Sequence, residues 1–210
     1  MRATLERGFL VLRFLSLALL CATLLLPRAA VAAMEITPMA GYRFGGGFET
    51  EDGDSLDLGE GGSGALAIDF DYQHNSQIEL FWSHQENSLT NPQGGQRFGL
   101  GIDYLHIGGT AVFPQGEIPV IPYIAGGLGV TRFDPDRSGT DSETRFSLSL
   151  GGGVRYFPFE HIGLRAEVRG CLTLLPDNGA MFCSNGACQV YLAGDALFQF
   201  EGLAGIIVRF

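Results

Sequence analysis

The last 13 residues, 198–210, alternate strictly between two kinds of side chain. One set is apolar or glycine throughout, and the other includes the charged residues Glu201 and Arg209. A period of two predicts a β-strand whose faces meet different environments. A free apolar strand promotes aggregation in water, whereas a closed barrel can bury that face in lipid. The end of the chain therefore predicts a membrane barrel, with the other strands further upstream.

The amino-terminal segment, residues 1–33, has the features of a secretory signal peptide. Three arginines precede an apolar run over 14–26, and small residues at 30–33 suit cleavage. The run is short for a membrane helix, which needs about 20 residues. We expect export through the Sec pathway and a mature domain over 34–210. No later apolar run has helical-span length, so membrane insertion would use strands.

The charge and composition of the mature chain narrow the function classes. Four of the 13 basic residues and one of the 23 acidic residues lie in 1–33, which leaves 9 and 22, a net charge of −13. This balance argues against nucleic acid as a partner. The chain has 31 glycines and 16 phenylalanines, a composition that suits close-packed strands with aromatic girdles.

Eight segments are predicted as strands, and the connections between them alternate in length. Short turns near 75, 114–119 and 158–161 alternate with long polar loops over 47–63, 87–97, 133–143 and 176–197. This asymmetry is typical of an all-β, eight-stranded, antiparallel up-and-down transmembrane barrel with both termini on the periplasmic side. The predicted strands cover residues 35–46, 64–74, 77–86, 98–113, 119–132, 144–157, 162–175 and 198–210.

Charged residues recur on one face of most predicted strands. Because a charge facing lipid is costly, these side chains are expected to point into the barrel. An eight-stranded barrel has an interior just wide enough for side chains, so we expect an ion-paired plug, with an ion pathway as the alternative. In the strand over 98–113 the alternation breaks after Asp103, which suggests a bulge. The predicted interior charges are Arg43, Asp69, Asp71, Glu79, Asp103, Arg145, Arg155, Arg165, Glu167, Arg169, Glu201 and Arg209.

The first long loop is strongly acidic and contains no basic residue. Oxygen ligands of this kind bind Ca²⁺ or Mg²⁺, yet the spacing of an EF-hand is absent. A solvated acidic loop and a cation bridge to lipopolysaccharide phosphates both remain open. The candidate ligands are Glu49, Glu51, Asp52, Asp54 and Asp57.

The cysteines and histidines suggest structural roles. Cys183 and Cys188 flank four residues in an exported chain, which predicts a local disulfide. Cys171 would be a buried free thiol on an inner face, with a disulfide to either of the two loop cysteines as the alternative. None of the four histidines is spaced as a metal pair, and the adjacent Ser83 and His84 would point to opposite faces. We therefore expect no cofactor and no metal centre.

With the signal, the eight strands, the alternating loops and the aromatic end in place, the chain resembles the OmpA/OmpX/OmpW-like eight-stranded outer-membrane proteins of Gram-negative bacteria. Family-like segments include 41–45, 103–109 and 182–186. The resemblance implies insertion by the barrel-assembly machinery, which reads a terminal signal that Gly205, Val208 and Phe210 match. Leu203 stands where a polar residue is expected.

The resemblance also implies a range of functions. We expect a non-enzymatic, monomeric barrel with a structural or surface-interaction role, in contact with outer-membrane lipid and lipopolysaccharide. A narrow channel for small hydrophobic molecules, as in OmpW-like relatives, is the first alternative. A lipid-modifying enzyme is the second, although residues 84–88 depart from the His-x-Ser-Asn pattern of lipid A deacylases. A soluble periplasmic barrel would require apolar inner faces.

Overall fold

The fold was analysed in a computed structural model that describes residues 33–50, 55–57, 59–90, 97–116, 119–136, 141–175, 180–184, 187–193 and 196–210. This part of the chain is almost entirely β-structure. Its twelve strands are β1 (Met34–Phe44), β2 (Gly47–Thr50), β3 (Ser55–Asp57), β4 (Gly61–Gln73), β5 (Ser76–Thr90), β6 (Arg97–Val112), β7 (Val120–Asp136), β8 (Glu143–Tyr156), β9 (Ile162–Leu174), β10 (Ala180–Ser184), β11 (Ala187–Ala193) and β12 (Ala196–Arg209).

Eight of these strands close into a barrel in which every neighbouring pair is antiparallel. Their order around the barrel is β1-β12-β9-β8-β7-β6-β5-β4. The predicted fold class is confirmed. Since β5 and β9 are four places apart in a ring of eight, they face each other across the interior. The inner faces of early and late strands therefore meet.

The barrel strands extend further toward the long-loop end than the sequence predicts. β4 begins at Gly61 rather than 64, β5 ends at Thr90 rather than 86, and β7 ends at Asp136 rather than 132. These extra residues are largely polar or glycine, which is why they resemble loop. A tilted strand needs only about 9–11 residues to cross the hydrocarbon layer. The barrel wall therefore continues beyond the membrane at that end.

The long segments after β1 and β9, predicted as loops, contain short strands. They form a four-stranded sheet in the order β10-β11-β2-β3, in which Leu192 of β11 pairs with Thr50 of β2. The two segments meet because β1 and β12, to which they connect, are neighbours in the barrel. Strands this short carry too few residues for alternation to be detected in sequence.

The outer surface of the barrel is apolar and carries aromatic side chains toward both ends. This arrangement is the one expected of a wall that faces lipid between two interfaces. In the described part of the chain, no helix is long and apolar enough to cross a membrane. Exposed aromatic residues near the short turns are Tyr72, Phe113, Tyr156, Phe159 and Phe210, and those nearer the long loops are Tyr42, Phe44, Trp82, Phe146, Phe198 and Phe200.

The hairpin between β4 and β5 turns in two residues, His74 and Asn75. Asn75 has a φ of 64°, in the left-handed region that asparagine tolerates better than most residues. Tight turns with positive φ match the twist of the flanking strands. This turn therefore sets the pairing of Gln73 with Ser76, and the register shifts once between Asp71 and Gln73 before regular pairing continues.

Candidate functional site: the charged barrel interior

The centre of the barrel interior is organised around Arg165 of β9, whose side chain is buried. Its Nη1 donates to Asp69 Oδ2 of β4 at 2.9 Å, and its Nη2 donates to Glu79 Oε2 of β5 at 2.6 Å. Both contacts cross the lumen. The same guanidinium also contacts Glu167 on its own strand. The Arg165 guanidinium thus contacts three carboxylates in the middle of the barrel interior.

Arg169, two inward positions further along β9, extends this cluster toward the long-loop end. Its Nη2 donates to Glu79 Oε1 at 2.7 Å, and its Nε donates to Glu167. Its guanidinium lies 3.8 Å from the centre of the Phe81 ring. An arginine over an aromatic face keeps favourable electrostatic contact without water. The lumen is therefore filled at this level by charged and aromatic groups packed together.

A second layer of ion pairs lies toward the short-turn, periplasmic end. Arg155 Nη1 donates to Glu35 Oε2 at 3.1 Å and to Gln77 Oε1 at 2.5 Å. Arg209 donates through Nε and Nη2 to Glu35 Oε1, at 2.8 and 2.6 Å. The Tyr123 ring joins the layers, since the guanidiniums of Arg155 and Arg165 lie 4.7 and 4.8 Å from its centre.

Glu35 was missed in the sequence analysis, although it is 1% exposed and holds two arginines. The sequence pattern does predict its position, because Glu35 shares the odd-numbered face of β1 with Arg43. It was overlooked because it stands at the very start of the strand, where boundaries are least certain.

A third layer lies toward the long loops and contains Arg43 of β1 and Glu201 of β12. Arg43 Nη2 donates to Glu201 Oε1 at 3.3 Å and to Ser83 Oγ at 2.5 Å. The Ser83 hydroxyl in turn donates to Glu201 at 2.7 Å. Tyr104 lies under the Arg43 guanidinium at 4.7 Å and donates through its hydroxyl to Gln199 Oε1 at 2.7 Å.

Above this layer the interior contains apolar side chains beside the buried polar side chains of Gln85, Thr131 and Thr173. Four side chains from β6, β7 and β12 point inward near the long-loop ends of their strands, and each is no more than 2% exposed. Hydrocarbon and neutral hydrogen-bonding groups therefore lie side by side at this level, for example Thr131 Oγ1 and Thr173 Oγ1, which are 2.7 Å apart. The apolar side chains are Leu100, Ile102, Phe133 and Leu197.

The charges in these layers balance. Five carboxylates, those of Glu35, Asp69, Glu79, Glu167 and Glu201, meet five guanidiniums, those of Arg43, Arg155, Arg165, Arg169 and Arg209. Buried charges are costly unless they are paired and hydrogen-bonded. The alternation of side chains along each strand places these charges on the inner face. Closure of the sheet then brings acidic and basic groups within contact distance.

Three residues predicted for this interior lie outside the layers of ion pairs described above. Asp71 is exposed at the periplasmic mouth, where it accepts from Gln77 Nε2 at 2.8 Å. Arg145 faces inward near the long-loop end and donates to Glu143 of its own strand at 2.6 Å. Asp103 lies on the outer face, where it contacts His84 at 2.9 Å and accepts from Trp82 Nε1 at 3.2 Å.

The misplacement of Asp103 follows from the wrong assignment of the faces of β6. The expected bulge is absent, because β6 pairs continuously with both β5 and β7 over its described residues. Leu100, Ile102 and Tyr104 point inward, and Leu105 and Ile107 point outward. Since both faces of this strand carry apolar residues, periodicity alone does not distinguish the lipid face from the lumen face.

Two pairs of side chains are relevant to catalysis. Ser83 and His84 point to opposite faces of β5, as the sequence predicts. A serine–histidine pair that sequence spacing did not reveal joins His106 Nε2 to Ser147 Oγ at 2.9 Å. Both residues are buried, at 1% and 0% exposure, and His106 stacks between the rings of Phe81 and Tyr104. Both side chains of this pair therefore lie inside the barrel rather than on its surface.

The predicted cation and disulfide sites fall mostly outside the described residues. Glu51, Asp52 and Asp54 lie there, while Glu49 and Asp57 are described only as backbone in β2 and β3. No group of three or more metal-ligating side chains occurs among the residues that the structure describes. Cys183 and Cys188 stand directly opposite each other on β10 and β11, a backbone arrangement that suits the predicted disulfide. Cys171 is a buried free thiol.

The interior opens on one side into a depression of about 410 Å³ at the periplasmic mouth. Its floor includes Gln77, Arg155 and Arg209, and its rim includes Tyr72 and Phe157. The ion pairs that Arg155 and Arg209 make with Glu35 lie directly against this floor.

Comparison with known proteins agrees with this architecture. A family model described as "Outer membrane protein beta-barrel domain" matches residues 18–182. Among solved structures, Neisserial surface protein A is 16% identical, with a TM-score of 0.61, over 85% of this chain and 99% of that one. AlkL, solved in lipid bilayers, is 14% identical with a TM-score of 0.55, covering 85% of this chain and 90% of AlkL.

The outer membrane protein OprG from Pseudomonas aeruginosa is 12% identical with a TM-score of 0.52, covering 85% of this chain and 97% of that one. No curated protein sequence matches the chain. The structural likenesses concern the fold, and the family match covers most of the sequence. The chain belongs to the outer membrane protein β-barrel domain family.

Proposed function

We propose that this outer-membrane barrel is a non-enzymatic protein with a plugged lumen, whose role is structural or lies in interaction at the cell surface. Family membership implies the outer-membrane location. The plugged state and the absence of catalysis are the parts we propose. The loop-side sheet β10-β11-β2-β3 and the acidic segment after β1 supply the surface that such a role requires.

The observation that carries this proposal is the position of the Arg165 guanidinium. It joins β9 to β4 and β5 across the full width of the barrel, and its side chain is 0% exposed. A hydrated ion passing this level would have to displace contacts to Asp69 and Glu79. Because breaking a buried pair costs about 3–5 kcal/mol, such passage would be rare.

Solute flux from proteoliposomes tests the proposal. Vesicles that contain the refolded protein should retain a small entrapped sugar as well as protein-free vesicles do. Vesicles with an open porin serve as the positive control. Release of the sugar at a rate proportional to the amount of inserted protein would contradict a plugged lumen.

A narrow conduit for small hydrophobic molecules is the second candidate. The apolar side chains of Leu100, Ile102, Phe133 and Leu197 favour this conduit. Hydrocarbon near the loop-side end of the lumen disfavours ions but accepts apolar solutes. Uptake of an n-alkane into proteoliposomes separates the two candidates. A protein-dependent increase in alkane transfer without sugar release supports the conduit, whereas no increase supports the plug.

The proposal that the protein is not an enzyme rests on the location of its serine–histidine pair. His106 and Ser147 are sealed in the interior, away from any lipid substrate. Mass spectrometry of lipid A from cells that overproduce the protein is the test. An unchanged set of lipid A species is expected, and loss or gain of an acyl chain would overturn the assignment.

We further propose that the chain is exported through the Sec pathway, inserted by the barrel-assembly machinery and monomeric in the membrane. The composition of residues 1–33 supports export through the Sec pathway, and the exposed terminal Phe210 supports insertion by the assembly machinery. The apolar outer face would contact membrane lipid and lipopolysaccharide. Crosslinking in the native membrane tests the monomer, and a discrete dimer band at low crosslinker would contradict it.

A further inference from the structure

The junction between the first and last barrel strands, β1 and β12, differs from the other strand pairs in how its register is set. In the hairpins β4–β5 and β8–β9, short turns over 74–75 and 157–161 fix the pairing. β1 and β12 lie at opposite ends of the barrel sequence, so no loop of any length connects them. Their register is therefore set by contacts between the two strands themselves, among which the side chains distinguish one register from another.

Two inner-face ion pairs join directly opposite residues across this junction. Glu35 of β1 stands opposite Arg209 of β12, and Arg209 Nη2 lies 2.6 Å from Glu35 Oε1. Arg43 stands opposite Glu201, at 3.3 Å between Nη2 and Oε1. The two pairs have opposite polarity, with the acid on β1 at the periplasmic end and the base on β1 at the loop end.

The other strand pairs of the barrel interior do not share this arrangement. At three inner-face positions, residues of like charge stand directly opposite each other on neighbouring strands. These pairs are Glu35–Asp69, Asp69–Glu79 and Arg155–Arg165. Across the lumen, Arg155 contacts Glu35, and Arg165 contacts Asp69 and Glu79. Arg169 does lie opposite Glu201, but its guanidinium contacts Glu79 and Glu167. Direct counter-ion pairing therefore coincides with the junction that lacks a turn.

Packing between the two charge pairs favours the same register. On the inner face, Met39 stands opposite Gly205 and Gly41 stands opposite Leu203, so each large side chain meets a glycine. A Cβ atom on Gly205 would lie 2.3 Å from the Pro38 carbonyl oxygen and 2.4 Å from Met39 Cγ. A slip of two residues keeps the faces correct but places Leu203 or Ile207 opposite Met39, and it separates both charge pairs.

We propose that Glu35–Arg209 and Arg43–Glu201, together with the glycine–large pairs between them, select the register in which the barrel closes. These residues act as positioning groups for the final strand pairing during insertion. The device is independent of whether the lumen conducts, because it concerns only the strand pairing. It also gives Gly205 a second role beside the terminal assembly signal.

Register-specific disulfides test this proposal. In a background with Cys171, Cys183 and Cys188 replaced by serine, Ala40→Cys with Ala204→Cys reports the native register, since these residues are direct outer-face partners. Ala40→Cys combined with Gly202→Cys or with Ile206→Cys reports the two slipped registers. Direct partners meet the Cα spacing of a disulfide, whereas diagonal positions exceed it.

The test variant combines Glu35→Gln with Glu201→Gln. Its matched control combines Glu79→Gln with Glu167→Gln, which also removes two buried carboxylates but leaves the junction intact. The native reporter should lose yield several-fold in the test variant while a slipped reporter gains, and the control should keep the native reporter. Equal distributions in the two variants would overturn the proposal.

A charge exchange keeps the proposal falsifiable if the neutralised protein fails to fold. Arg43→Glu alone places two acids opposite each other, and adding Glu201→Arg restores an ion pair with reversed polarity. The double variant should recover the folded fraction and the native reporter. Failure of the second substitution to improve on the first would count against register selection by these pairs.

Discussion

Substitution of Arg165 by glutamine separates a sealed interior from a hydrated one. The change removes the cation that holds Asp69 at 2.9 Å and Glu79 at 2.6 Å, and it leaves these carboxylates with fewer counter-ions. Loss of one partner from a buried ion pair costs about 3–5 kcal/mol. We expect the upper part of that range, because three carboxylates share this guanidinium.

The same substitution would be nearly neutral in a water-filled channel. Solvated ion pairs contribute only about 0–1 kcal/mol, since water replaces the lost contacts. The free energy of unfolding from urea titration in lipid vesicles, followed by the gel mobility of the folded barrel, measures the difference. Arg132→Gln is the matched control, because Arg132 is 55% exposed and lies 3.4 Å from Asp134. A loss for Arg165→Gln no larger than that of the control would refute the reasoning.

Four further outcomes follow from the structure. Phe210→Ser should lower the fraction of inserted barrel at high expression without changing any activity, and normal assembly would argue against a terminal recognition role. Gly108→Ala should cost roughly 1–3 kcal/mol in urea unfolding, since its Cβ would crowd the carbonyl oxygen of Gly126, whereas Gly64→Ala has open space and should be neutral. Fluorescence of Trp82, the one tryptophan, should be quenched by brominated lipids because its side chain is 43% exposed on the outer face. Thiol labelling of the unfolded, unreduced mature protein should modify Cys171 alone if Cys183 and Cys188 are paired, and three labelled cysteines would exclude the disulfide.

The fold was predictable because two signals in the sequence reinforce each other. Strict alternation in β9 and β12 identifies strands with one apolar face, and the alternating connection lengths order them into a barrel. The inward residues of β9, among them Arg165 and Arg169, follow from that alternation. Partners across the lumen do not, because they depend on the ring order and stagger of strands far apart in sequence.

The incorrect sequence-based predictions have specific physical causes. β6 carries apolar residues on both faces, so Asp103 was assigned inward although it lies outside with His84 and Trp82. The short strands β2, β3, β10 and β11 form because two long segments meet above the β1–β12 junction, a contact that no local pattern encodes. The serine–histidine pair at 106 and 147 depends on the registers of β6 and β8 against β7, which place Gly129 between the two residues.

Single-channel recording in planar lipid bilayers tests the plugged interior most directly. With the proposed plug, in which the Arg165 and Arg43 layers fill the lumen, the wild-type protein should insert without producing stable current steps. Insertion is verified independently by the protease resistance of the folded barrel. Stable, reproducible steps on the nanosiemens scale from wild-type protein would contradict the account.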